Sequence, residues 1–136
     1  MTSYLDRLRA EGERANPFFS WMGIRVIRAD GGVGELELDV RPDLWNGEGW
    51  VQGGLYTALA DEAVVLAVYQ TLEEGETIAS ITESTAFLRG VNQGKLRAVG
   101  RVTKRGRRVI FGEGQVSDDE GRLCSTTTVS YAVSRR

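Results

Sequence analysis

The stretch WNGEGWVQGGLYTALADEA, Trp45 to Ala63, decides how the rest of the chain reads. It begins as a glycine-rich loop and becomes an apolar run that continues to Leu72, where Glu73-Glu74-Gly75 closes it. Leu55, Ala58, Leu59, Ala63, Val64, Val65, Leu66 and Val68 fall almost all round a helical wheel. The spacing therefore predicts a helix from about Gly53 to Leu72, buried on most sides. Asp61 and Glu62 interrupt it. Asp61 shares a face with Thr57, Val64, Val65 and Val68, so its carboxylate is expected to be at least partly desolvated. Gly53 and Gly54 stand at the helix start. Its first N–H groups lack internal partners and carry the positive end of the dipole. Glycine lets a ligand come close to that backbone. With the amides of Asn46 and Gln52, the set could bind a carbonyl at the helix start and bring an acid toward its carbon. Two turns separate Asp61 from Gly53, about 12 Å. Asp61 thus suits a carbonyl bound on a neighbouring subunit, across a two-fold axis that sets two such helices antiparallel.

Upstream, Thr2 to Ala15 fits a short helix with Tyr4, Leu5 and Leu8 as its apolar stripe, ended by Asn16-Pro17. FFSWMGIRVI is apolar and aromatic and is expected to cover one edge of the core. After a Gly31-Gly32 turn, Gly34, Leu36, Leu38 and Val40 alternate with Glu35, Glu37 and Asp39, a strand with one wet face. Downstream, Thr77–Leu88, Lys95–Lys104, Arg108–Ser117 and Arg122–Val133 read as four strands joined by short turns, an antiparallel meander or a close relative. One long helix and about five strands make an α+β fold. The helix is expected in the concave face of the sheet, with a second copy of the chain covering the other.

Composition narrows the chemistry. The chain has 136 residues, 41% apolar and 26% charged, with a formal net charge of −2, the balance of one globular domain rather than a nucleic-acid binder. No apolar run approaches the span of a bilayer, and the charged N-terminal stretch lacks the apolar core of a leader; the chain reads as cytoplasmic. Its single cysteine, Cys124, excludes an intrachain disulfide, and it has no histidine. Ser-His-Asp, Cys-His and histidine-metal chemistry are excluded, and no metal or cofactor is expected.

Asn46, then Gln52-Gly53-Gly54, then Leu59-Ala60-Asp61 resembles the signature of the hotdog-fold thioesterases, in particular the phenylacetate-pathway group. SITESTAFLRGVNQGKLRAVGRV, KRGRR and VSDDEGRLCSTTTVSYAV resemble the strands that follow in that family, so the likeness runs from about Phe18 to the end. It implies one hotdog domain over residues 1–136, with a long central helix wrapped by an antiparallel sheet of five to six strands and a short N-terminal helix. It implies a homodimer or homotetramer with shared sites, hydrolysing acyl-CoA. Asp61 of one subunit would be nucleophile or general base. The partner's Gly53 N–H would bind the thioester oxygen, its Asn46 would help place the nucleophilic water or the substrate carbonyl, Gln52 and the substrate-binding Gly54 would stand beside them, and Ser80 would lie near the reacting centre. Some of Arg89, Lys104, Arg105, Arg107 and Arg108 would meet the phosphates of coenzyme A. Phe18, Phe19, Trp21, Met22, Trp45, Trp50, Tyr56 and Val65 are candidates for the acyl pocket. In one respect the chain departs from the family: Gln52 stands where the family has histidine, and glutamine carries no proton near neutrality. That leaves a non-catalytic acyl-CoA binder as the alternative.

Overall fold

The structure is a computed structural model that describes residues 3–136. The expected first-helix start at Thr2 lies outside them. Helix α1 (Tyr4–Glu11) begins at a reciprocal cap, in which the Asp6 N–H donates to Ser3 Oγ and the Ser3 N–H to Asp6 Oδ2. It buries Leu5 and Leu8, and a 3₁₀ turn carries the chain to Ala15. The apolar stretch after Asn16 is a second helix, α2 (Pro17–Met22), followed by strand β1 (Arg25–Asp30). Asn16 caps α2 by accepting the N–H groups of Phe18 and Phe19, and Pro17 supplies a first-turn φ without a wasted donor. Gly23 ends α2 in the left-handed conformation.

Gly31 and Gly32, both at positive φ, turn β1 into β2 (Val33–Asp39), as a tight hairpin requires. The central helix is α3 (Gly53–Tyr69), three residues shorter than its apolar run suggests. Then come β3 (Glu76–Phe87), β4 (Lys95–Arg105), β5 (Val109–Asp118) and β6 (Leu123–Arg135). The sheet has six strands in the order β1-β2-β4-β5-β6-β3, every pairing antiparallel. This is the hotdog architecture: a short N-terminal helix, a long helix and an antiparallel sheet wrapped on it.

The meander expectation holds for β4-β5-β6 and fails for β3. That strand pairs with β6 from Glu76 opposite Arg135 to Phe87 opposite Ser125, at the far edge of the sheet. Residues between Phe87 and Lys95 cross back past the start of α3, where the Val51 N–H donates to Val91 O and Val91 is buried. Alternation reports which residues face inward but not which strand is the neighbour.

Helix and sheet meet without side chains between them along one row. Gly34, Gly100 and Gly114 are register partners on β2, β4 and β5. A Cβ at Gly34 would fall on the Ala63 carbonyl, at Gly100 on the backbone of Ala63 and Val64, and at Gly114 on Ala60. Beyond Gly114 the same row continues into Thr127 and Thr85. There the hydroxyls of Thr57, Thr85 and Thr127 form a chain, 2.7 and 2.9 Å apart, which satisfies three polar groups under the helix.

The outer face of β1, β2 and β4 carries its own ion pairs, Arg97 to Glu35 at 2.7 Å, Lys95 to Glu37 at 3.5 Å and Arg25 to Asp39 at 3.0 Å. It is a wet face, polar enough to stand in water on its own. At the far edge of the sheet β3 is open, exposed from Ala79 to Ser84 and bulged at Ile81. Ile81, Phe87 and Leu88 are each more than half exposed there.

Candidate active site

Asp61 sits half-buried in the middle of α3, on the side that faces β3. Alternation along β3 turns Glu83, Thr85 and Phe87 toward the helix. Phe87 lies edge-on to Tyr56 and beside Gly53, and Thr85 bonds Thr57. One helical turn past Thr57 comes Asp61, and two residues before Thr85 comes Glu83, so the two carboxyls stand against each other. From β6, Tyr131 completes the group. Its hydroxyl donates to Asp61 Oδ1 at 2.5 Å. Burial, then the charge of Asp61, raises the Tyr131 pKa far above the ordinary phenol value, so this hydroxyl stays a donor.

Two carboxyls here hold protons unusually well. Desolvation, then hydrogen bonding and charge from Asp61, push Glu83 up to about 7, although β3 is an open edge. Glu62 is also pushed up to about 7, by burial first and then by the Asp61 charge. It faces the other way, where Asn16 Nδ2 donates to it at 3.4 Å and to the Tyr4 hydroxyl at 2.7 Å. Burial, foremost, pushes Tyr4 up to about 12.

The residues at the helix start form a separate group. Gln52 is the N-cap of α3, its side-chain oxygen accepting the Gly54 N–H. Asn46 is exposed, and its side-chain oxygen accepts the N–H groups of Glu48 at 2.9 Å and Trp50 at 3.2 Å, holding the loop in shape. A cavity of about 580 Å³ opens beside Gln52 and Gly54, walled by Phe18, Trp21, Met22 and Trp45. Of the other aromatic and aliphatic pocket candidates, Phe19 and Tyr56 are core residues, Val65 packs on the Asp61 side, and Trp50 lies against Gly90.

The structure thus brings Asp61 together with Tyr131, Glu83 and Thr57, and brings Asn46, Gln52, Gly53 and Gly54 together about 12 Å away. Ser80 is exposed on β3, paired in register with Tyr131. Arg89 is exposed just after β3. Lys104, Arg105, Arg107 and Arg108 sit at the β4–β5 hairpin, near the C-terminal end of α3. There Arg105 is tied to Glu76 at 2.7 Å, while Lys104, Arg107 and Arg108 are exposed. Sequence reasoning missed Glu83 and Tyr131. Glu83, Thr85 and Phe87 do alternate, but the bulge at Ile81 puts them out of phase with Ile78 and Ser80. Tyr131 reads as one more aromatic in a strand.

Comparison with known proteins bears on the fold and the family. The profile of the thioesterase superfamily matches residues 48–125. The proofreading thioesterase EntH of Cronobacter turicensis is 30% identical over 112 residues, 82% of each chain. A phenylacetic acid degradation-related protein from Ralstonia eutropha JMP134 superposes with a TM-score of 0.86 at 28% identity, over 96% of this chain and 99% of its own. A thioesterase from Haemophilus influenzae shares the fold, with a TM-score of 0.85 at 23% identity over 99% of this chain and 92% of its own. Helix, sheet and a profile spanning more than half of the residues lead to one statement: the chain belongs to the thioesterase superfamily, and it is a thioester hydrolase.

Proposed function

We propose that the protein, a single hotdog domain over residues 1–136, is an acyl-CoA thioesterase that releases a small, medium-chain or aryl acid from coenzyme A. The observation that carries the reading is the placement of Asp61, held by Tyr131 and facing the open edge of β3 rather than its own helix start. If two copies join their β3 edges antiparallel, their α3 helices run antiparallel as well. Asp61 of one copy then approaches Gly53 of the other. The partner's Gly53 N–H, at the positive end of its helix, holds the thioester oxygen as negative charge develops. Asp61 either attacks the carbonyl carbon or takes a proton from the water that does. The carbon–sulfur bond breaks, and coenzyme A leaves as the thiol once its sulfur is protonated. Asn46 and Gln52 shape the loop and cap that present Gly53 and Gly54, and Ser80 lies on the shared edge.

The same pairing sets the β4–β5 hairpin of the Asp61-bearing copy near the partner's helix start. Lys104, Arg107 and Arg108, with Arg89, are then available to phosphate, and Arg105 stiffens the hairpin through Glu76. The aromatic wall of Phe18, Trp21 and Trp45 favours an aryl acyl group. The name of the Ralstonia relative, related to phenylacetic acid degradation, supports the same end of the range.

Asp61→Asn is expected to lower hydrolysis of acyl-CoA by at least ~10²-fold with the fold and oligomer intact. Free thiol released from a panel of alkyl and aryl acyl-CoA esters measures it, and an unchanged rate removes Asp61 from the mechanism. The second reading, a protein that holds acyl-CoA without cleaving it, rests on Gln52, whose side chain is engaged in capping Gly54. Gln52→His discriminates: a large gain in rate favours that reading, and little change favours the enzyme as it stands.

A further inference from the structure

The site contains no histidine, so the groups that orient Asp61 must be found among carboxyls and hydroxyls. Two elements pack against the helix-facing side of β3 at Glu83. From α3 the only charged residues are Asp61 and Glu62. From β6 come Tyr131 and, at the far end of the strand, Arg135, which is bound to Glu73 at 3.0 Å and Glu76 at 3.8 Å. No cation among the described residues therefore faces the Glu83 carboxyl from these elements, and its neighbour is another carboxyl. Two such groups in contact hold one proton between them more readily than none.

We propose that Glu83, in its neutral form, is a positioning residue that donates a hydrogen bond to Asp61 and, with the Tyr131 hydroxyl, clamps it in its reacting orientation. This rests on the reading of Asp61 as the reacting carboxylate. The shared register supports the clamp: Glu83 lies opposite Val129, two residues from Tyr131, while Thr85 fixes α3 against the strand through Thr57. The proton affinity of Glu83, pushed up to about 7, makes the clamp sensitive to pH. Below that value Glu83 donates. As the pH rises through it, the donor becomes a second anion, and Asp61 loses one of its two holds. No covalent or proton-transfer step involves Glu83, and its proton stays on it throughout turnover.

The test is the pH profile of kcat/KM from pH 5.5 to 9 with butyryl-CoA and benzoyl-CoA. The native protein is expected to show a limb falling above about pH 7. Glu83→Gln keeps a donor that cannot ionise, so its alkaline limb should vanish while the rate below pH 7 stays within a few-fold. Glu83→Leu removes the donor and should lower kcat by about 10-fold or more at every pH, with KM little changed. Glu62→Gln should keep the limb. A limb that survives in Glu83→Gln, or that vanishes in Glu62→Gln instead, overturns the proposal. Should Glu83→Gln fail to fold, carboxyl ¹³C titration in the Glu62→Gln protein decides. One glutamate should titrate near 7 and shift downward on adding Asp61→Asn; no such glutamate overturns the assignment. Asp61→Asn separates the two readings: if it stays active, the role of Asp61 falls, whereas an inactive Asp61→Asn with an unaltered Glu83→Gln profile removes only Glu83.

Discussion

The Tyr131 hydroxyl donates to Asp61 Oδ1 across 2.5 Å, from a side chain that is 1% exposed. A phenol so enclosed cannot swing away, so the carboxylate inherits the rigidity of β6. Tyr131→Phe keeps the ring and removes the donor. It is expected to lower kcat by about 10-fold and to cost about 1–2 kcal/mol of stability, read from steady-state kinetics and thermal melts.

Glu62 gives a stability prediction with a definite sign. Its folded pKa is raised from 4.5 to about 7, so between those values the folded chain binds more protons than the unfolded one. The contribution is full below pH 4.5 and is lost as the pH rises through about 7. Melting temperature should therefore fall between pH 5 and pH 8. In Glu62→Gln the fall should be smaller by a few degrees, roughly, in scanning calorimetry at the two values. Glu83 adds a loss of the same sign, which Glu62→Gln leaves in place.

Gly100 has no room for a methyl group, because the backbone of Ala63 and Val64 occupies the place of a Cβ. Gly100→Ala must lift α3 from the sheet and is expected to destabilise by about 3 kcal/mol, near the upper end for an overpacked core. Gly47→Ala, where nothing lies within 4 Å, is the matched control and should be close to neutral. Denaturant midpoints of the two proteins make the comparison.

The shared-edge arrangement predicts that a charge on β3 separates the copies. Ile81, at the bulge and 52% exposed, is the position to change. Ile81→Lys places an ammonium on the edge that the proposed dimer pairs. Light scattering should show a monomer of about the 15.0 kDa chain mass, with hydrolysis lost in parallel because each site would lack its second half. A dimer that survives with full activity points to a different interface.

How far the sequence could be read depended on the kind of interaction. The buried helix was legible because its apolar residues surround the whole wheel, and the Gly31-Gly32 turn because two adjacent glycines suit few other roles. The place of β3 was not, since its pairing with β6 is made by backbone atoms that every residue has. At the site, Asp61 stood out as a charge within an apolar run, and Gln52 as the residue before two glycines. Glu83 did not, because in a strand rich in Ser and Thr a glutamate looks like ordinary solvent-facing relief. Only the bulge at Ile81 reveals which side it takes.

The glycine row has one more implication, for how such a protein tolerates change over time. Where Gly34, Gly100 and Gly114 touch α3, the strands rest on the helix backbone and on the Cβ atoms of Ala60 and Leu66, so the clearance is set almost wholly by atoms common to most residues. Apolar residues on either side can be exchanged while the height of Asp61 above the strands stays constant. A lineage built this way is free to diverge in nearly all its interior and still deliver its acid to the same point, provided those three positions remain bare.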